Sequence, residues 1–171
     1  MKILVTYFSQ TGNTEKVAKA IQEEAAQANE VELKKLEEVG SGDIAGYDFI
    51  FLGSPLHGGN LASPVKDFLS GIQAASGQKM AGFITHSAPA YPEQAMDGFV
   101  EPIKTACQEN NIEYKGCFDC QGFLTESLHE MIKKNQKLTD EEWNKRVEQM
   151  TGHPDDEDLN QARAFAKEVL A

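Results

Sequence analysis

The feature that most constrains the fold of this chain is the regular alternation of short apolar segments with amphipathic ones. Ile3–Phe8 is almost entirely apolar, as expected for a strand that is buried on both faces of a sheet. Asn13–Ala28 follows, with apolar residues at helical spacing. The alternation continues along the 171 residues without an internal repeat or a low-complexity linker. It predicts one α/β domain over residues 1–171, with helices packed on a parallel sheet.

Polarity of the predicted strands indicates their order in the sheet. The five strands are Ile3–Phe8, Val31–Leu36, Phe49–Leu52, Met80–Thr85 and Ile112–Cys120. The first, third and fourth are apolar, whereas the second and fifth mix apolar with polar residues, which is typical of strands at an edge. With right-handed crossovers, this distribution predicts a doubly wound parallel sheet and supports the order 2-1-3-4-5, although the edge argument alone leaves a permutation of that order open.

The helical segments between the third and fifth strands carry two prolines that bear on their boundaries. Ser63 and Pro64 predict the N-cap and the first position of a helix that follows the third strand. Pro102 lies inside the amphipathic segment Glu93–Asn110, so that helix either starts near Pro102 or kinks there.

The chain continues beyond the fifth strand with more helices than the sheet requires. Thr125–Lys134 and Thr139–Met150 are predicted as extra helices, and Thr139 with Glu142 forms a capping box for the second. Asp155–Leu170 is predicted as the last helix, with an acidic first turn that suits the helix dipole.

Charge and composition exclude several classes of partner. The net charge of −11 disfavours nucleic acid and anionic lipid, and it favours redox partner proteins with basic docking patches. Apolar runs all fall well short of the ~20 residues of a membrane span, so we expect a soluble, cytoplasmic protein. Three cysteines, an odd number, argue against a secreted disulfide scaffold.

Cys117 and Cys120 form a CxxC pattern, but its position argues against metal or redox chemistry. Residues three apart on a strand point to opposite faces, so the two sulfur atoms diverge. The sequence also has no second cysteine pair or His cluster to complete a zinc site. We therefore predict buried or edge thiols, and no metal site.

The loop between the first strand and the first helix is rich in hydrogen-bond donors. Ser9–Thr14 carries hydroxyls, one glycine and the N–H groups of a helix N-terminus, but no Lys or Arg. Neutral donors at a helix N-terminus suit a phosphate dianion. The loop is not a nucleoside triphosphate P-loop, since the lysine for the terminal phosphates is missing, and it is not GxGxxG.

Three segments resemble the cofactor loops of flavodoxins, and the resemblance extends over most of the chain. Residues 7–15 (YFSQTGNTE) closely resemble the FMN-phosphate loop, and residues 53–60 (GSPLHGGN) look like the flavin-flanking loop. Residues 85–91 (THSAPAY) occupy the place where the family covers the other side of the flavin. The resemblance implies a flavodoxin-like fold and non-covalently bound FMN at the switch point between strands 1 and 3.

Carried over residue by residue, the resemblance implies a set of cofactor-binding positions and no catalytic residue. The phosphate would be held by Ser9, Gln10, Thr11, Gly12, Asn13 and Thr14. The flavin would be flanked by Ser54, Pro55, Leu56, His57, Gly58, Gly59 and Asn60 on one side, and by His86, Ser87, Ala88 and Tyr91 on the other.

Within the flavin-flanking segment, the chain departs from the family pattern. Leu56 and His57 stand where flavodoxins often place a tryptophan against the flavin. His57 is either a proton donor or a flat side chain packed beside the ring. The resemblance also implies that a backbone carbonyl turns toward reduced flavin N5, and Gly58 or Gly59 provides the freedom for it.

In the third segment, the tyrosine and the histidine each have two alternative roles. Tyr91 either stacks on the exposed face of the flavin or is a surface tyrosine. His86 is either a structural loop histidine or a functional one.

These observations are compatible with three functions. The first is a low-potential electron carrier that uses FMN. The second is an FMN-dependent NAD(P)H:acceptor oxidoreductase of the quinone type, and the third is a flavin-free interaction module. The enzyme needs a group for the nicotinamide phosphates, yet the only arginines, Arg146 and Arg163, lie in no predicted binding loop. The extra segment Thr125–Met150 keeps the enzyme hypothesis as an alternative, since this segment could form a lid or a dimer contact.

Overall fold

The strands and helices follow one another in the alternation that the sequence predicts. The computed structural model describes residues 1–89 and 91–171. Its strands are β1 (Lys2–Tyr7), β2 (Glu30–Lys35), β3 (Phe49–His57), β4 (Asn60–Leu61), β5 (Lys79–His86) and β6 (Glu113–Gln121). Its helices are α1 (Asn13–Ala25), α2 (Ser63–Ser70), α3 (Glu93–Glu109), α4 (Glu126–Asn135), α5 (Asp140–Met150) and α6 (Asp156–Leu170). Short 3₁₀ turns at Leu36–Glu38 and Asp43–Gly46 connect β2 to β3.

Five parallel strands form the sheet in the order β2-β1-β3-β5-β6. Numbered along the chain as parallel strands alone, this is the predicted order 2-1-3-4-5, which is confirmed together with the fold class. The short strand β4 pairs only with β3, in antiparallel orientation, and was not predicted. The mixed strands β2 and β6 lie at the two edges, where most of their residues are only half-buried.

The core consists of two apolar clusters, one on each face of the sheet. One face, which we call the α2–α3 face, packs Leu4, Ile50 and Met80 under α2 and α3. The opposite, α1–α6 face packs Phe51 and Phe83 under α1 and α6. Successive residues of a strand point to opposite faces, so each central strand feeds both clusters and is almost fully buried.

One predicted helix boundary is wrong, and one of the two alternatives left open at Pro102 is excluded. The helix after β4 begins at Ser63 with Ala62 as its N-cap, so Ser63 does not cap it. The Ala62 N–H donates instead to Ser54 Oγ (3.0 Å). The next helix runs through Pro102 from Glu93 to Glu109, which rules out a start near that proline. Buried residues of this helix lie both before and after Pro102. Their packing outweighs the roughly 3 kcal/mol of stability that a proline inside a helix costs.

The helix pair α4–α5 is an insertion between β6 and α6. The predicted capping box is confirmed, since Thr139 Oγ1 accepts from the Glu142 N–H (3.2 Å) and Glu142 Oε2 accepts from the Thr139 N–H (2.8 Å). The Phe123 N–H donates to the His153 carbonyl (3.0 Å), so the chain leaves and rejoins the domain at one place. In the described part of the chain, no helix has the length and apolar character needed to cross a membrane.

Candidate functional site

A pocket of about 600 Å³ opens at the carboxyl ends of the central strands and brings the three predicted segments together. β1 lies between β2 and β3, so the chain order reverses there, which is where open α/β sheets bind ligands. The predicted residues that line the pocket are Gln10, Thr11, Asn13, Pro55, Leu56, His57, Gly58, Gly59, His86, Ser87 and Tyr91. Ser9, Gly12, Thr14, Ser54, Asn60 and Ala88 are not among its lining residues, and Ala90 lies outside the described residues.

Predicted residues of the first loop that do not line the pocket shape the loop instead. Ser9 Oγ accepts from the Gly12 N–H (3.1 Å), and Gly12 takes a left-handed conformation (φ 86°) that admits glycine without strain. The buried Thr14 side chain is hydrogen-bonded to Thr85 (2.9 Å between the Oγ1 atoms), which ties α1 to the end of β5. These contacts leave Gln10, Thr11 and Asn13 facing the pocket.

A positively charged side chain lies close to this loop, although the loop itself contains no Lys or Arg. Lys16, in the first turn of α1, lines a neighbouring cleft together with Thr11, Asn13 and His153. Sequence reasoning stopped at Thr14 and therefore missed Lys16. The signal was present, because a residue at the third or fourth position of a helix can return to the loop that precedes it.

The second predicted loop is a strand followed by a tight turn. Ser54 to His57 belong to β3, and His57 pairs with Asn60 across Gly58 and Gly59. Both glycines have positive φ (59° and 78°), as a two-residue type I′ hairpin requires. The hairpin arises because this turn matches the twist of the strands, and it places the exposed His57 at the mouth of the pocket.

His86 makes contacts that fit a structural role. The side chain is buried, with Nδ1 2.9 Å from the Ala88 carbonyl and Nε2 3.0 Å from Asp119 Oδ2. Tyr91 packs edge-on against His86 and against Phe99, with ring centroids 4.9 Å apart in both pairs. Tyr91 is thereby held in a defined orientation where it lines the pocket.

A fourth group of residues lines the pocket, and sequence reasoning did not predict it. It comprises Gly122, Phe123, Leu124, Leu128, Met131, Ile132, Asn135, Gln136 and Arg146. These residues lie after β6 and on α4 and α5. Trp143 on α5 is buried against His129 (5.2 Å between ring centroids) and is not a lining residue.

Arg146 is the pocket's most distinctive side chain electrostatically. Its Nη1 donates to Gln136 Oε1 (2.5 Å), and its Nε is buried without a hydrogen-bond partner. Among the described residues, no carboxylate lies within ion-pair distance of this guanidinium, whereas Arg163 pairs with Glu23 (2.8 Å). Arg146 lies outside the three predicted loops, as the sequence indicates, but it lines the pocket from α5, so the argument drawn from the arginines against the enzyme does not hold for Arg146.

The thiols take no part in this pocket. Cys117 packs at the α2–α3 face and Cys120 at the α1–α6 face, as the spacing predicts. Burial raises the pKa of both thiols far above their usual range, which keeps them protonated near neutral pH.

The lining residues fit FMN in three respects. Neutral donors and the N-terminus of α1 suit the phosphate, and the aromatic and aliphatic walls suit a flat ring system. The guanidinium of Arg146, which has no carboxylate within ion-pair distance among the described residues, suits a ligand that carries negative charge.

Comparisons with known proteins give a consistent family. The flavodoxin domain model matches residues 4–167. The flavodoxin-like domain-containing protein BilS of Clostridioides difficile is 31% identical in an alignment that covers 99% of this chain and 97% of that protein.

Solved structures agree in fold. Oxidised flavodoxin 1 of Bacillus cereus superposes with a TM-score of 0.68 at 22% identity, over 99% of this chain and 97% of that one. Oxidised flavodoxin 2 of the same species has a TM-score of 0.68 at 24% identity, with 99% and 98% covered.

Proposed function

The chain belongs to the flavodoxin family, and from this premise we propose that it is an electron carrier that holds FMN without a covalent link. One observation carries the proposal. A single pocket at the switch point joins the donor-rich first loop, the hairpin after β3 and the segment after β5. These are the three elements that the family resemblance assigns to FMN.

The roles of the chain's residues follow from their positions in the pocket. Thr11, Asn13 and the N–H groups at the start of α1 would bind the phosphate, with Lys16 near enough to add positive charge. Leu56, His57 and Tyr91 would flank the ring and exclude water from it. When bound, FMN supplies the electron-transfer chemistry.

The acidic surface favours a low reduction potential in this proposal. A net charge of −11 disfavours a reduced cofactor that carries more negative charge than the oxidised one. For a one-electron step, each tenfold change in the equilibrium constant for reduction corresponds to ~59 mV in reduction potential.

Selective binding of FMN over riboflavin tests the proposal directly. We expect purified protein to bind FMN one-to-one and to ignore riboflavin at comparable concentration, because the first loop supplies donors for the phosphate. Isothermal titration or flavin fluorescence gives both dissociation constants. Equal affinity for the two flavins would overturn the assignment of the first loop.

One observation favours the second candidate, an FMN-dependent NAD(P)H:acceptor oxidoreductase. This enzyme needs a group for the nicotinamide phosphates, and the Arg146 guanidinium lines the pocket. Anaerobic mixing of FMN-loaded protein with NADH or NADPH separates the two functions. Rapid bleaching of the flavin would establish the enzyme, and a carrier would leave the flavin oxidised.

The partner in this proposal is a redox protein with a basic docking patch. Opposite charges steer encounter, and salt screens them over a Debye length of ~10 Å at 0.1 M. Stopped-flow electron transfer to a basic acceptor is expected to slow as ionic strength rises, with the opposite trend for an acidic acceptor. A rate to the basic acceptor that does not change with salt would refute steering by the acidic surface.

A further inference from the structure

The apolar side of α4 is turned toward the pocket rather than toward protein. Leu128, Met131 and Ile132 occupy positions i, i+3 and i+4 of this helix, and all three line the pocket. No residue of α4 is buried, and Met131 is 52% exposed. Amphipathic helices on globular domains normally bury their apolar side, so this exposed side marks a binding surface, and its place in the pocket favours the ligand of that pocket as the group that covers it.

Contacts behind α4 hold this orientation. His129 packs edge-on between Phe123 (5.7 Å) and Trp143 (5.2 Å), and its Nε2 lies 2.8 Å from the Leu124 carbonyl. An ion pair between Lys133 and Asp140 joins the two helices. The apolar side is therefore positioned before any ligand is added.

The base of the helix pair is fastened to the first loop. Asn13 Nδ2 donates to the Phe123 carbonyl (2.8 Å). A Cβ at Gly122 would lie 2.7 Å from the same nitrogen, so this close approach requires glycine. A ligand held by the first loop consequently lies next to the element that carries α4.

Arg146 adds charge to this wall. Its buried Nε has no partner, and Gln136 occupies Nη1 without neutralising the guanidinium. Arg146 lines the same pocket as Gln10, Thr11 and Asn13 of the first loop and as the hairpin after β3 and Tyr91. Its charge therefore acts on a cofactor that occupies this pocket.

We propose that α4–α5 forms a fourth wall of the FMN site. In this wall Leu128, Met131 and Ile132 cover the cofactor, and the positive charge of Arg146 favours the reduced form of FMN. This inference rests on the proposed function, since the occupant is FMN. A guanidinium in the cofactor pocket stabilises the more negative reduced state and so opposes the effect of the acidic surface.

Hydrogen exchange tests the wall. Amide exchange is measured by mass spectrometry for the protein with and without FMN, with α6 as the internal reference. We expect FMN to slow exchange in residues 126–135 at least tenfold, while α6 remains unchanged. Bound FMN with unchanged exchange in α4 would overturn the fourth wall and leave the proposed function standing. Failure of FMN to bind would overturn both.

Potentiometry tests the charge with a matched pair of variants. Arg146→Gln removes the pocket guanidinium, and Arg163→Gln removes the other arginine of the chain, which pairs with Glu23. We expect Arg146→Gln to weaken binding of reduced FMN about tenfold more than that of oxidised FMN, a fall of ~30 mV in a two-electron potential. We expect no shift for Arg163→Gln. Equal potentials in the two variants, with FMN bound, would overturn the role of Arg146.

Discussion

Helices α1 and α4 are both amphipathic, but they differ in what covers their apolar sides. Val17 and Ile21 of α1 are fully buried against the sheet, where they complete the α1–α6 cluster. Helix α4 presents Leu128 and Ile132 to the pocket and buries no residue. The same periodicity therefore serves stability in one helix and, in our proposal, ligand binding in the other.

The largest effect is expected from a change in the core beneath α1. Phe83 is fully buried on the α1–α6 face, and its ring fills the space where Gly53 has no Cβ. We expect Phe83→Ala to lower the free energy of unfolding by about 3–5 kcal/mol, since it leaves a cavity in a close-packed core. Urea denaturation of FMN-free protein measures this loss. A loss as small as that of a surface substitution would contradict the comparison.

An intermediate effect is expected in the first loop, where the change affects binding and not folding. Thr11→Val keeps the shape of the side chain but removes its hydroxyl. A hydrogen bond to a charged group contributes roughly 1.5–3 kcal/mol, so the dissociation constant for FMN should rise about tenfold to a hundredfold or more. Fluorescence titration measures it, with the unfolding midpoint of FMN-free protein as the control for folding. An unchanged dissociation constant would show that Thr11 does not face the phosphate.

The smallest effect is expected in α4, and it distinguishes the two helices most sharply. Leu128→Ala should change the free energy of unfolding of FMN-free protein by no more than about 0.5 kcal/mol. It should weaken FMN binding by up to about tenfold, because each CH₂ covered by ligand contributes ~0.8 kcal/mol and the side chain stays partly exposed.

Leu170→Ala provides the matched control for α4. Leu170 is also partly buried, but it packs on the α1–α6 cluster, away from the pocket. Its replacement should lower stability and leave FMN affinity unchanged. If both leucine variants lost stability and neither lost affinity, α4 would be an ordinary covering helix.

Local patterns predicted the sheet better than the pocket. Polarity of the strands separated the central strands from the edges, because burial on two faces leaves few polar residues in β1, β3 and β5, and it supported the order without excluding a permutation. The first loop was recognised because hydroxyls, glycine and a helix start are adjacent in sequence. The hairpin was missed because β4 has only two residues, although Gly58 and Gly59 are a turn signal.

The fourth group of pocket residues was missed for a different physical reason. The helices α4 and α5 were predicted, together with the capping box at Thr139, from local signals alone. Where a helix pair packs depends on contacts distant in sequence, such as Asn13 with Phe123. The orientation of Arg146 depends on that packing, and no periodicity in the sequence encodes it.

The hydrogen bond between Phe123 and His153 has a consequence for how such a protein can diversify. Because the two ends of the α4–α5 insertion already meet, the segment between them can lengthen, shorten or be exchanged without moving β6 or α6. The entropic cost of closing a longer loop grows only with the logarithm of its length. Descendants of this fold could therefore change what covers the pocket while inheriting the sheet intact.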